Sequence, residues 1–134
     1  MRKNVVFDTN VLISGYLWKG KPRQAIQIVK SGVFNLLYCT DSLNELVRIL
    51  ASKFGLTSGE IYRVVLDIQG SGESVEVISR ESPIKEDPSD NLFVNLAMDG
   101  HARTIVSGDS HLLNLKEHKR IEIITVADFI KRYS

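Results

Sequence analysis

A single cysteine in 134 residues excludes two ways of stabilising a small protein. Cys39 has no partner for an internal disulfide, and one thiol cannot build a cysteine-based zinc centre. A buried, inert thiol is the role left to it. Proline is scarce as well, with three residues, and two of these, Pro83 and Pro88, share one polar connection. No low-complexity tract and no internal repeat interrupts the chain. No apolar run approaches the ~20 residues that cross a bilayer. Met1-Arg2-Lys3 leads directly into a short strand rather than a signal-peptide core, so the expectation is a cytoplasmic protein with no membrane partner. Charge excess is missing too. Seventeen Lys and Arg against sixteen Asp and Glu leave a net +1, whereas nucleic-acid binders usually show a basic excess.

What is present describes a globular chain, 43% hydrophobic and 25% charged, long enough as one domain over residues 1–134 to bury roughly two thirds of its unfolded surface. Strand and helix signals alternate. Val5 to Phe7 reads as a buried strand, followed by a loop through Gly20 and Pro22 and a helix from Arg23 to Lys30. Val33 to Tyr38 is a second strand. Ser42 opens a helix with Leu43, Leu46, Val47 and Leu50 at helical spacing, and Thr57-Ser58-Gly59-Glu60 is a capping box ahead of another. Ser74 to Ser79 alternates as a third strand. Ser89 is the N-cap of a helix from Asp90 to Asp99, with Gly100 as its stop. Thr104 to Val106 and Ile121 to Ile124 are the fourth and fifth strands, and Thr125 caps a last helix. Such alternation predicts a parallel sheet with helices on both faces.

Four acids stand where a strand or loop gives way to a helix: Asp8, Glu45, Asp90 and Asp109. Asp8 directly follows a buried strand, which in open α/β sheets is the ligand crevice, although Asp8-Thr9-Asn10 also suits simple turn chemistry. Asp109 follows Ile105-Val106-Ser107-Gly108 and has a helix-cap alternative of its own. Asp90 lies in a first helical turn, where the helix dipole favours an acid regardless of function. Its neighbour Asp87, made extended by Pro88, competes for the same role. Glu45 closes Ser42-Leu43-Asn44-Glu45, and taken alone that spacing argues for a capping box. Four carboxylates brought together could not all ionise at neutral pH without a compensating cation, and hard divalent cations prefer oxygen ligands.

The segments Val6-Phe7-Asp8-Thr9-Asn10-Val11-Leu12, Leu43-Asn44-Glu45-Leu46, Asp87-Pro88-Ser89-Asp90-Asn91 through Ala97, and Ile105-Val106-Ser107-Gly108-Asp109-Ser110-His111-Leu112-Leu113 together resemble the PIN-domain nucleases. Within that family the chain looks most like the proteins grouped with the toxins of toxin–antitoxin pairs. The resemblance implies a three-layer α/β/α fold with a central parallel five-stranded sheet in the order 3-2-1-4-5. It makes Asp8, Glu45, Asp90 and Asp109 the four metal-coordinating acids, and Asn10 and Ser107 the polar residues beside them.

The implied activity is endonucleolytic hydrolysis of single-stranded RNA with Mg2+ or Mn2+, leaving a 5′-phosphate and a 3′-hydroxyl. The implied partners are the RNA, an antitoxin protein and a second copy of the chain; Tyr16, Leu17 and Trp18, which follow a glycine, read as apolar candidates either for contacts between copies or, equally, for packing against the domain's own core. His101, His111 and His118 read as surface or helix-end residues, His111 being nearest the site. Removing the four candidate acids from the net charge of +1 leaves +5. Basic residues cluster at Lys19, Lys21 and Arg23 and at Lys116, Lys119 and Arg120, as solvated charges or as phosphate contacts. Two other classes compete. A phosphoacceptor domain would want a second acid near Asp8, where position 10 is Asn. A non-catalytic PIN-fold module that binds RNA or a partner would show no metal-dependent turnover.

Overall fold

Period-two burial along short strands divides the core between the two faces of one sheet. The computed structural model describes residues 2–134. Its strands are β1 (Lys3–Phe7), β2 (Phe34–Tyr38), β3 (Gly72–Ser74), β4 (Thr104–Val106), β5 (Glu117–His118) and β6 (Ile121–Ile124). Val5, Phe7, Leu36, Val106 and Ile124 face one hydrophobic cluster, while Val6, Leu37, Ile105 and Ile123 face the other. Successive side chains of a strand point to opposite faces, so each strand feeds both layers. The first layer holds α1 (Thr9–Leu17), α2 (Lys21–Ile28), α3 (Thr40–Ser52), α4 (Ser58–Ser71) and α7 (Val126–Tyr133); the second holds α5 (Asn91–Asp99) and α6 (Ser110–Leu115).

The sheet order is β3-β2-β1-β4-β6-β5. Its five parallel strands follow the order that the resemblance implies, and the two-residue β5 adds a sixth, antiparallel edge strand by pairing His118 with Ile121. β1 and β4 are neighbours, with Val6 opposite Ile105 and Phe7 opposite Val106. Asp8 and Ser107 therefore leave the sheet side by side at the carboxyl ends of the two central strands.

Three local readings need correction. The segment after Asp8 is a helix, α1, not a loop. A β-carbon at Gly15 would lie 2.2 Å from Ile26 Cδ1 and 3.0 Å from the Pro22 carbonyl, so its absence lets α1 and α2 pack backbone to side chain. Tyr16 and Leu17 are accordingly half-buried on that helix, while Trp18 is 53% exposed. The helix expected from Ser42 begins two residues earlier, at Thr40, and the Ser42 hydroxyl accepts from the Cys39 backbone N–H at 2.9 Å. Ser42 is thus the closing member of the cap, and Glu45 is released from it.

The third strand is shorter and earlier than Ser74–Ser79. β3 covers Gly72–Ser74, and after Val75 N–H donates to the Tyr38 carbonyl at 2.8 Å the chain leaves the sheet. Side chains of α5 replace the missing neighbour strand. Asp99 accepts from Ile78 N–H at 2.7 Å and Ser79 N–H at 2.8 Å; Asn95 exchanges bonds with both backbone groups of Glu81, and Asn91 with both of Ile84. Residues four apart lie on one face of a helix, so this polar row holds residues 78–84 as a strap leading to Asp87.

Gly72 is required where β3 meets β2, because a β-carbon there would lie 1.8 Å from the Leu36 carbonyl oxygen. Gly72→Ala should therefore lower stability by about 1–3 kcal/mol, the range for overpacking a filled site. Urea denaturation checks this, and an unchanged midpoint would refute the close approach.

Candidate metal centre

Asp8 is placed by three contacts. Its backbone N–H donates to the Val106 carbonyl at 3.0 Å, its Oδ1 accepts from Val11 N–H at 2.9 Å as the N-cap of α1, and its Oδ2 accepts from the Ser107 hydroxyl. Ser107 is fully buried, and its oxygen also accepts from Asp109 N–H at 2.9 Å. One hydroxyl therefore ties the two strand-end acids together. Asp109 caps α6 by accepting from His111 N–H at 2.8 Å. Capping and site membership coincide here, since a cap leaves the second carboxylate oxygen free.

Asp90 ends a 3-10 turn, Pro88–Asp90, that runs directly into α5. Ser89 is not the N-cap expected for this helix; its hydroxyl donates to Asp87 Oδ1 at 2.6 Å instead. Asp90 is 8% exposed, and its Oδ2 is buried with no hydrogen-bond partner among the described residues. Asp87, Asp90, Asp109 and His111 each bring one ligand atom into a group whose members all lie within 4.8 Å of one another.

Electrostatics mark the same place. Burial, followed by the charges of Asp109 and Asp87, pushes the Asp90 carboxyl up to about 7. Burial also raises Asp8 above the ordinary carboxylate range, against the lowering effect of its bonds from Ser107 and Val11, with the Asp109 charge adding a smaller upward push. An orphaned, buried carboxylate oxygen facing two more acids and an imidazole fits a divalent cation, which would satisfy the oxygen and neutralise the repulsion.

Glu45 and Asp8 lie outside the 4.8 Å group. Glu45 is joined to the Asp8 motif through Thr9, whose buried hydroxyl donates to Glu45 Oε2 at 2.9 Å. It also lines a cleft of about 540 Å³ shared with Arg48, Arg80, Ser89, Asn91 and Asn95, which opens beside the Asp90 turn. Asn10 is exposed on the first turn of α1. The structure thus brings Asp90 and Asp109 together, adds Asp87 and His111, and sets Asp8 and Glu45 around them.

Thr9, Asn91 and Asn95 were missed as supporting residues. A signal existed for the two asparagines, because both fall four apart within the otherwise apolar run Asn91 to Met98, where a buried amide needs a partner.

Strand order and the acids at the carboxyl ends define an open α/β domain with an acidic cluster beside its two central strands. The sequence profile of the PIN domain matches residues 4–111, and the chain belongs to the PIN-domain family. Among solved structures, the crystal structure of PAE2754 from Pyrobaculum aerophilum superposes with a TM-score of 0.61 at 15% identity, over 98% of this chain and 89% of that one. That likeness is one of fold. No curated protein matches the sequence. Among the described residues, no helix is long and apolar enough to cross a membrane.

Proposed function

We propose that this PIN protein, acting as one unit over residues 1–134, is a metal-dependent endoribonuclease that hydrolyses phosphodiesters of single-stranded RNA. The observation that carries the reading is the buried, unpartnered Asp90 Oδ2 within the group formed with Asp87, Asp109 and His111. Asp8, Glu45, Asp90 and Asp109 would hold Mg2+ or Mn2+, with Asp87 beside Asp90. The bound cation supplies a Lewis acid that acidifies water and offsets the charge on the phosphate.

The remaining work falls to the chain itself. Ser107 holds Asp8 and the Asp109 backbone in one register, so the central acids keep their positions before any ligand arrives. Thr9 orients Glu45 towards the mouth of the cleft. Arg48 and Arg80 on the cleft walls are suited to phosphate oxygens, since guanidinium forks donate paired hydrogen bonds to them. Asn91 and Asn95 hold the strap that delivers Asp87. Toxin action, neutralisation by an antitoxin protein, pairing of two copies and a cytoplasmic location belong to the same reading, supported by the sequence resemblance.

Purified protein should cleave a single-stranded RNA oligonucleotide in millimolar Mg2+ or Mn2+, leave 5′-phosphate ends, and stop on chelation. Metal should also stabilise the folded state, by about 2.7 kcal/mol at a hundredfold excess over Kd. Cleavage that persists in excess EDTA would sink the mechanism, and an unchanged Tm would count against a preformed site.

A further inference from the structure

At the opposite, amino ends of the strands, three residues occupy backbone positions that suit glycine or asparagine. β5 and β6 are joined by two residues, Lys119 (φ 47°) and Arg120 (φ 69°). Both central residues at positive φ is the requirement of a type I′ hairpin turn, for which Asn-Gly is the favoured pair. His101, just beyond α5, also has φ 59°. L-residues with a β-carbon are disfavoured there, and all three are exposed, so none is held in place by burial.

Local rules broken without a packing return tend to mark function. Here all three residues line one cleft of about 420 Å³, with Arg103 between them. A second cleft of about 460 Å³ shares His101 and Arg103 and continues past Arg2, Lys3 and Tyr133. The two form a continuous cationic face. Among the described residues, Arg2, Lys3, Arg103 and Arg120 pair with no carboxylate, while Lys119 shares Glu81 at 2.7 Å. Asp99, the acid next to His101, is occupied by Ile78 and Ser79.

We propose that this face is a second phosphate-binding surface, which takes the backbone of the RNA strand beyond the segment held at the acids. The inference rests on the nuclease reading for the identity of its ligand. Unpaired guanidinium forks recognise phosphodiester oxygens, and Tyr133, packed against Phe34 and Phe129, holds Lys3 Nζ 5.4 Å from its ring centroid on the same face. Arg103 precedes β4 and Ser107 follows it, so the face lies about 13 Å of strand from the acid site. Only a strand longer than the cleft at the acids can reach both.

The test is the double variant Lys119→Asn with Arg120→Gly, which installs the preferred turn while removing two cations. Its Tm should equal or exceed that of the unaltered protein, so loss of function cannot be blamed on folding. Binding of a fluorescent oligouridylate of about 20 nucleotides, measured by anisotropy in EDTA, should weaken at least tenfold, while cleavage of one of about 4 nucleotides in Mn2+ stays unchanged. The salt dependence of the longer oligomer should flatten by about 1.4 in log–log slope, for two phosphates released from contact. Arg103→Glu should weaken the same binding.

Unchanged affinity for the longer oligomer would overturn the proposal. So would its displacement by polyglutamate or tripolyphosphate at equal charge concentration, which would assign the face to acidic peptides or free polyphosphate. If neither oligomer is cleaved in Mg2+ or Mn2+ yet binding still depends on Arg120, the nuclease reading falls and the phosphate surface stands.

Discussion

Asp90→Asn should reduce RNA cleavage by on the order of 10³-fold, the scale of losing a preorganised electrostatic group, and should raise the Tm of the metal-free protein at pH 8. The two effects have one cause. The Asp90 carboxyl titrates near 7 in the folded chain against 3.8 as the ordinary value, because burial and the neighbouring Asp109 and Asp87 charges oppose its ionisation. Between those values the native state binds more protons than the unfolded state, so stability falls as pH rises through that window and levels off above it.

The loss amounts to at most about 4 kcal/mol. Asparagine has nothing to ionise, so the variant escapes it. Its advantage should be largest at pH 8 in EDTA, vanish near pH 4, and be cancelled when Mg2+ or Mn2+ stabilises the unaltered protein alone. Asp87→Asn should do less in both assays, since one Asp87 oxygen is already held by the Ser89 hydroxyl. Parallel Tm–pH curves for Asp90→Asn and the unaltered chain, or a greater loss of cleavage in Asp87→Asn, would overturn this assignment.

The central part of the fold was legible because each strand there is a short apolar run followed by an acid or hydroxyl. Val5 to Phe7 with Asp8, and Thr104 to Val106 with Ser107, carry both the sheet register and the start of the site. Legibility failed where tertiary contacts replaced local pattern. α1 buries Val11, Ile13 and Gly15 and half-buries Leu12 and Tyr16, so almost no polar face is left to reveal a helical period, and the glycine inside it reads as a break. Residues 75–79 do alternate, and Val75 and Val77 pack on the second core cluster. Their backbone, however, is held by the Asp99 side chain rather than by a strand, a distinction that periodicity cannot make. The partnership of Thr9 with Glu45 joins residues 36 apart through helix packing, and no local spacing encodes it.

Glu45→Gln should leave stability nearly unchanged while lowering cleavage by about 10²-fold, the lower end for removing one electrostatic contributor. Its sequence spacing from Ser42 matched a capping box, but α3 begins at Thr40 and its N-terminal bond runs from Cys39 N–H to the Ser42 hydroxyl. Glutamine therefore disturbs no cap. Its side-chain carbonyl can still accept from the Thr9 hydroxyl, so the buried donor stays satisfied and only the negative charge is lost. Ser42→Ala supplies the converse, removing the acceptor of the Cys39 N–H at a cost of about 1 kcal/mol with the acids intact and cleavage retained. Thermal denaturation and cleavage rates on the two variants separate the roles. Full activity in Glu45→Gln would leave the site to Asp8, Asp90 and Asp109, because a carboxylate whose charge can be removed without consequence is not helping to hold a cation.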